Sequence, residues 1–152
     1  MRRFLALVAI ASGTALQAQV PTPRSASYLF SADVDDTRAV WINPAGLGVL
    51  PMASLYGELT TDRVTANDDW TVRQYGFGLH SRSLAVSYQK DRLITGASPG
   101  LWRVGAAFPL GRRLAIGTAT SFTSPERGVD LGLRFSPLRL FDVGAVLRNI
   151  GR

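Results

Sequence analysis

The 152-residue chain contains no cysteine, one histidine (His80), one lysine (Lys90) and two glutamates (Glu58 and Glu126). Without cysteine there is no disulfide, no thiolate metal site and no cysteine nucleophile. With one imidazole, any triad or histidine-rich metal centre would have to be assembled around His80. A lone histidine at a strand end is ordinarily a surface residue, so no catalytic residue, metal or cofactor is assigned and the chain is not expected to be an enzyme. Scarce Lys and Glu also remove strong helix formers. Glycine is abundant instead, and Val, Thr and aromatic residues recur, a composition that suits strands. Beyond the first twenty residues no window is long and apolar enough to cross a membrane as a helix.

The N-terminus is of a different kind. Met1-Arg2-Arg3 is basic, Phe4 to Ala11 is apolar, and small and polar residues lead to Ala15-Leu16-Gln17-Ala18-Gln19. These are the n-, h- and c-regions of a secretory signal, with cleavage after Ala18. A spanning helix needs about 20 apolar residues, and this run breaks at Ser12-Gly13-Thr14. Loss of Arg2 and Arg3 with the signal lowers the formal charge from +6 to +4. The remaining arginines are spread along the chain rather than gathered on a face with stacking aromatics, so no nucleic-acid partner is expected.

From Met52 to Ile150 the chain reads as seven segments of two-residue alternation, the signature of strands. Leu55 and Leu59 oppose Ser54, Tyr56 and Glu58; Tyr75, Phe77 and Leu79 oppose Gln74, Gly76, Gly78 and His80. Leu84, Val86 and Tyr88 oppose Ala85, Ser87 and Gln89, and Trp102, Val104 and Phe108 oppose Arg103, Gly105 and Ala107. The last three segments set Leu114, Ile116 and Phe122, then Leu131, Leu133 and Phe135, then Phe141, Val143 and Leu147 against Gly, Ala, Ser and scattered charge.

Such strands serve either a soluble sandwich, whose apolar faces pack together, or a membrane barrel, whose apolar faces meet lipid. The links favour the barrel. Those after the first, third and fifth segments (Thr61–Asp69, Asp91–Gly100, Thr123–Gly128) are longer. Those after the second, fourth and sixth (around Ser81-Arg82, Gly111-Arg112-Arg113 and Pro137-Leu138) are tight. Outer-membrane barrels alternate long extracellular loops with short periplasmic turns. Trp70, Trp102, Phe108, Phe122, Phe135 and Phe141 near segment ends fit interfacial aromatic girdles. Inward Gly and Ala suit a narrow or occluded lumen.

Before the strands, Asp33 to Gly48 follows no such alternation. Asp35 or Asp36 can cap a short helical turn through Ala39 and Val40. Asn43-Pro44 is a turn starter, the Asn side chain bonding back to the backbone and Pro fixing φ. Gly46 and Gly48 permit close approach or positive φ. The segment reads either as a capped turn leading into the first strand or as a plug in a barrel mouth. A signal peptide, an acidic stretch and the run Trp41-Ile42-Asn43-Pro44-Ala45-Gly46-Leu47-Gly48 ahead of an outward strand resemble the FadL-type outer-membrane barrel superfamily. The nearest likeness is to the branch with the PorV and PorQ proteins of type IX secretion. The stretch Arg127 to Leu138, followed by Val143 to Gly151, is similar to that branch's repeated hairpin. The resemblance implies a barrel of about fourteen strands with an N-terminal plug, passing hydrophobic small molecules or handling secreted proteins.

The expected organisation is thus a signal peptide (1–18), a plug-like segment (19–51) and an all-β, antiparallel membrane barrel (52–152). Seven strands make half of such a barrel, because single-chain bacterial barrels close on an even number. The expected partners are outer-membrane lipid and the molecules that pass or dock. Trp41, Asn43, Pro44, Ala45, Gly46 and Leu47 are the candidate gate. Arg103, Asp130, Arg134, Asp142 and Arg148 are the candidate lumen-facing polar residues, forming an ion-pair lattice between strands. The acidic clusters Asp33/Asp35/Asp36 and Asn67/Asp68/Asp69 lack the spaced loop of a calcium site and read as capping and solvated-loop residues. Two other roles keep the strands but change the setting: an anchor for a downstream domain such as a signal-peptide-peptidase-like protease, or a soluble periplasmic β-sandwich that binds a partner. N-terminal sequencing of the exported protein should begin at Gln19; a chain that retains Met1 after export would contradict the signal reading.

Overall fold

The computed structural model describes residues 26, 29–49, 52–63, 69–92, 100–122, 127–138 and 140–150. The signal expected over residues 1–18 and its cleavage site lie outside them. Seven strands form the fold: β1 (Ser54–Asp62), β2 (Thr71–Ser81), β3 (Leu84–Asp91), β4 (Gly100–Leu110), β5 (Leu114–Phe122), β6 (Arg127–Leu138) and β7 (Phe141–Ile150). They make one antiparallel sheet in sequence order, each strand bonded to the next. β1 and β7 are its two edges, so the sheet is not closed into a barrel. Among the described residues the protein is all-β apart from short helical pieces, and no helix there is long and apolar enough to cross a membrane.

The pleat explains why this sequence forms this sheet. Successive side chains point to opposite faces, and the pairing keeps like with like: Tyr88 lies opposite Trp102 and Trp102 opposite Phe122. Across the same three strands, Ser87 lies opposite Arg103 and Arg103 opposite Ser121. A slip of one residue would exchange the faces along a whole strand. The register irregularities fall at Thr60/Thr61, Val129/Leu131 and Phe135/Leu138. The last of these corrects the sequence reading, in which Pro137-Leu138 forms the turn. β6 runs on through both residues because the irregularity spares Pro137 the ladder bond that it cannot donate.

One face is open and one is covered. Leu55, Leu79, Phe108, Phe122 and Leu147 are all at least half exposed on the open face. The other face carries the buried residues Ala85, Ala107, Ala115, Ala119, Ser87 and Ser121. Over it lie a four-residue helix, α1 (Ala39–Ile42), and a 3-10 turn, Pro44–Gly48, which packs on β4, β5 and β6. The hydrophobic core therefore sits between this segment and the small-residue face of the sheet. Val34, Val40, Trp41, Ile42 and Leu47 supply its bulk, and Ala85, Leu101, Ala107 and Ala119 its floor. Burying each large side chain is worth about 1.5–3 kcal/mol, so the segment provides most of the apolar burial on this face.

Close approach is what the inward glycines allow. A Cβ on Gly117 would overlap the Pro44 carbonyl and the Ala45 amide, and one on Gly132 would overlap the Asn43 side chain. Overpacking of this kind costs about 1–3 kcal/mol. Gly117→Val is therefore expected to lift residues 39–48 off the sheet while leaving the strands paired. Hydrogen exchange should rise in the segment while far-UV circular dichroism keeps its β signal; unchanged protection would contradict the seating.

Candidate functional site

The segment that covers the sheet holds all six candidate gate residues, and its local structure follows from a few side chains. The helix begins later than expected: Arg38 is its N-cap residue and makes no side-chain cap bond. Asp36 lies just upstream, accepting from the Arg38 amide at 2.8 Å and pairing with its guanidinium at 2.6 Å. At the far end, Asn43 adopts an extended backbone and its Oδ1 accepts from the Ala45 amide at 3.1 Å, which starts the 3-10 turn. The Asn43 amide nitrogen donates to the Ser31 carbonyl at 2.7 Å and to the Leu133 carbonyl of β6 at 3.0 Å. One fully buried asparagine thus ties its own turn, the preceding chain and the sheet together. Gly46 fits directly against the Val34 carbonyl, so its role is close packing.

Trp41 is the largest fully buried side chain, with no exposed area. Its indole Nε1 donates to Ser87 Oγ at 2.8 Å and Tyr56 Oη at 3.0 Å. Ser87 in turn donates to the Phe77 carbonyl at 3.0 Å, which leaves the Tyr56 hydroxyl to donate to Ser87. The indole is therefore fixed by strands β1 and β3 at its polar edge. Its ring face meets the Arg103 guanidinium, 5.5 Å from the ring centroid, at a cation–π distance. Pro44, Ala45 and Leu47 complete the contact with β4 and β5 and are buried.

The five charged candidates all lie on the covered face, but they form no single lattice. Arg103 and Asp130 make a buried ion pair. It joins β4 to β6 over β5, rather than directly neighbouring strands, and the small Ala119 and Ser121 leave the gap it crosses. Arg134 pairs with Asp142 of β7 at 2.7 Å and reaches the Val34 carbonyl. Arg148 instead donates to the Ile42 carbonyl at 3.1 Å, satisfying the free C-terminal end of α1. Asp130 Oδ1 also accepts from the Asn149 amide, at 2.9 Å. These charges fasten the segment to the sheet as much as they fasten strand to strand.

His80 differs from the expectation of a surface residue: it is 1% exposed. Its Nε2 lies against the Leu47 and Arg82 carbonyls, so that nitrogen carries the proton, and Nδ1 faces Ser54 Oγ at 3.4 Å. Ser54 Oγ also bonds Thr37 Oγ1 at 2.6 Å. The histidine thus links the end of the 3-10 turn to the β2–β3 hairpin, and its inward parity beside Gly78 is the signal that points to burial. Tyr56, Ser87, Ser54 and Thr37 were likewise not singled out from sequence, although the alternation already puts the three strand residues among them on the polar face.

Gly96 to Gly100 has a Gly-x-Ser-x-Gly spacing; all of it but Gly100 lies outside the described residues. Among the described residues no group of three or more His, Asp or Glu side chains converges as a metal site. Asn67 and Asp68 of the second acidic cluster lie outside the described residues. No protein-family model, curated protein or solved structure matches the chain.

Removing one partner of a buried ion pair costs about 3–5 kcal/mol, whereas replacing both with apolar groups is often neutral. Asp130→Ala should destabilise the protein by that amount, and Arg103→Met with Asp130→Leu should recover most of the loss. Denaturant unfolding of the single and double variants checks this; a double variant no better than the single would contradict the pairing.

Proposed function

We propose that this chain is wall and plug of an outer-membrane β-barrel of the FadL/PorV type, exported by a cleaved signal and without enzymatic activity. One observation carries the reading. The sheet buries its small and polar face under its own N-terminal segment and leaves its bulky apolar face open. In water this is the wrong way round, since an exposed apolar expanse of this extent marks a protein or membrane contact. In hydrocarbon it is the stable arrangement.

Three further features support lipid as that contact. The strands are 8 to 12 residues long, close to the roughly 9–11 that a tilted spanning strand needs. Aromatic side chains on the open face gather toward the two strand ends. Tyr75, Phe77 and Trp102 all touch Tyr88, with Tyr88 and Trp102 centroids 4.8 Å apart, and Phe108, Phe135 and Phe141 lie nearer the tight turns. The long and tight links alternate as they do in outer-membrane barrels. Edge backbone groups left unpaired in lipid each cost several kcal/mol, so in this reading β1 and β7 both pair with further strands.

The segment Ser31–Gly48 is then the plug. Its mechanism is passage of hydrophobic molecules, or docking of secreted proteins, at a gate shaped by Asn43 to Leu47. The anchor reading shares the wall and differs only in what the barrel holds. The sandwich reading needs a second sheet on the open face, and nothing among the described residues supplies one.

Deletion of Asp35–Gly48 is expected to leave the chain in the detergent-extracted outer membrane, with heat-modifiable gel mobility, while permeability to a hydrophobic dye or capture of a secreted partner changes. Unchanged permeability and binding would remove the gate; recovery of the intact chain in the soluble fraction would remove the barrel.

A further inference from the structure

At the tight-turn end of the sheet a cavity of about 540 Å³ opens between the end of the 3-10 turn and the β2–β3 and β4–β5 hairpins. Four arginines line it, Arg82, Arg112, Arg113 and Arg134, and no carboxylate does. Arg134 is buried and its charge is met by Asp142. The other three are exposed and form no ion pair among the described residues. Three guanidinium groups with no ion-pair partner among the described residues repel one another around one hollow, and an anion placed among them removes that repulsion.

The turn itself is built around one of these charges. Arg82 holds a left-handed backbone, φ 55°, in a two-residue hairpin link where Gly or Asn fits at less cost. Its side chain is thereby carried to the same rim as Arg112 and Arg113, which follow Gly111 in the next tight turn. The Ser136 amide donates to the Arg113 carbonyl at 2.7 Å, holding that turn against β6.

We infer that this cavity binds a phosphomonoester. A guanidinium presents donors in a planar fork matched to phosphate oxygens. Three separate forks need a ligand with at least three acceptor oxygens and more than one negative charge, which a phosphomonoester has and a carboxylate lacks. The cavity falls in the size class of small-molecule sites and exceeds what bare phosphate fills, leaving room for an organic remainder. Leu114 on its wall gives that remainder an apolar contact. The phosphate comes from a lipid headgroup or from a soluble ester. The membrane reading bears only on that source, not on the site.

The test is calorimetric titration of the full chain in non-ionic detergent with glycerol phosphate, dihexanoyl phosphatidic acid, dihexanoyl phosphatidylcholine and inorganic phosphate. Both phosphomonoesters should bind about tenfold more tightly than the choline lipid, and Arg112→Gln with Arg113→Gln should abolish the difference. Tighter binding of phosphatidic acid than of glycerol phosphate supports a lipid source; equal binding supports a soluble one. Equal affinity for the choline lipid, or a preference that survives the double substitution, would overturn the site. Arg82→Gly keeps the turn geometry and removes the charge, so it should weaken binding even if the double variant folds poorly. Short-chain lipids in detergent require no bilayer insertion, so a failed titration and a failed membrane reading are separate outcomes.

Discussion

A strand cannot hide its polar face unless something satisfies it, and in this protein that something is the chain's own segment from Ser31 to Gly48. The inward side chains of β3 to β6 are mostly Gly, Ala and Ser, too small to fill a core against one another. Val40, Trp41 and Leu47 fill it instead. The seating is possible because Gly117 and Gly132 let backbone meet backbone, and it is fixed in place by Asn43, which bonds to Ala45, Ser31 and Leu133. Everything else on that face is arranged around this contact.

The polar network follows from it. Trp41 brings an indole N–H into a dry place, and Tyr56 and Ser87 accept it. Arg103 lies over the same ring and needs Asp130. The helix ends at Ile42 with an unpaired carbonyl, and Arg148 reaches it from β7. Hydrogen bonds and charges of this kind contribute little net stability where they are fully made, and cost several kcal/mol where one partner is lost. Their effect is specificity: they select one position of the segment on the sheet from many that apolar contact alone would allow. The open apolar face has no such fixing, because apolar contact is non-directional.

Most of the sheet was legible because a period of two survives in every strand, and parity alone sorts each side chain to its face. Links were legible through Gly and Arg-Ser at the reversals, except at Pro137, where a register irregularity removes the bond that proline would break. Asn43-Pro44 announced its turn through residue chemistry, and the Asn43 bond to Ala45 is the one anticipated. What could not be read was contact between distant parts. Nothing local says that Arg148 serves a helix end over a hundred residues earlier, or that Arg103 passes over β5 to reach Asp130. The burial of His80 is hidden for the same reason: strand ends are usually wet, and only the position of Leu47 makes this one dry.

In the proposed barrel, alternate side chains of one strand face lipid and the segment, and the native tryptophans report on this directly. Trp102 stands on the open face of β4 and Trp41 lies beneath the covered face. Trp41→Phe with Trp70→Phe leaves Trp102 as the sole indole, and Trp70→Phe with Trp102→Phe leaves Trp41. Each chain is reconstituted into bilayers whose acyl chains carry bromine, a short-range quencher. Strong quenching of Trp102 and near-native emission from Trp41 are expected; equal quenching of the two, or none of Trp102, would contradict this arrangement.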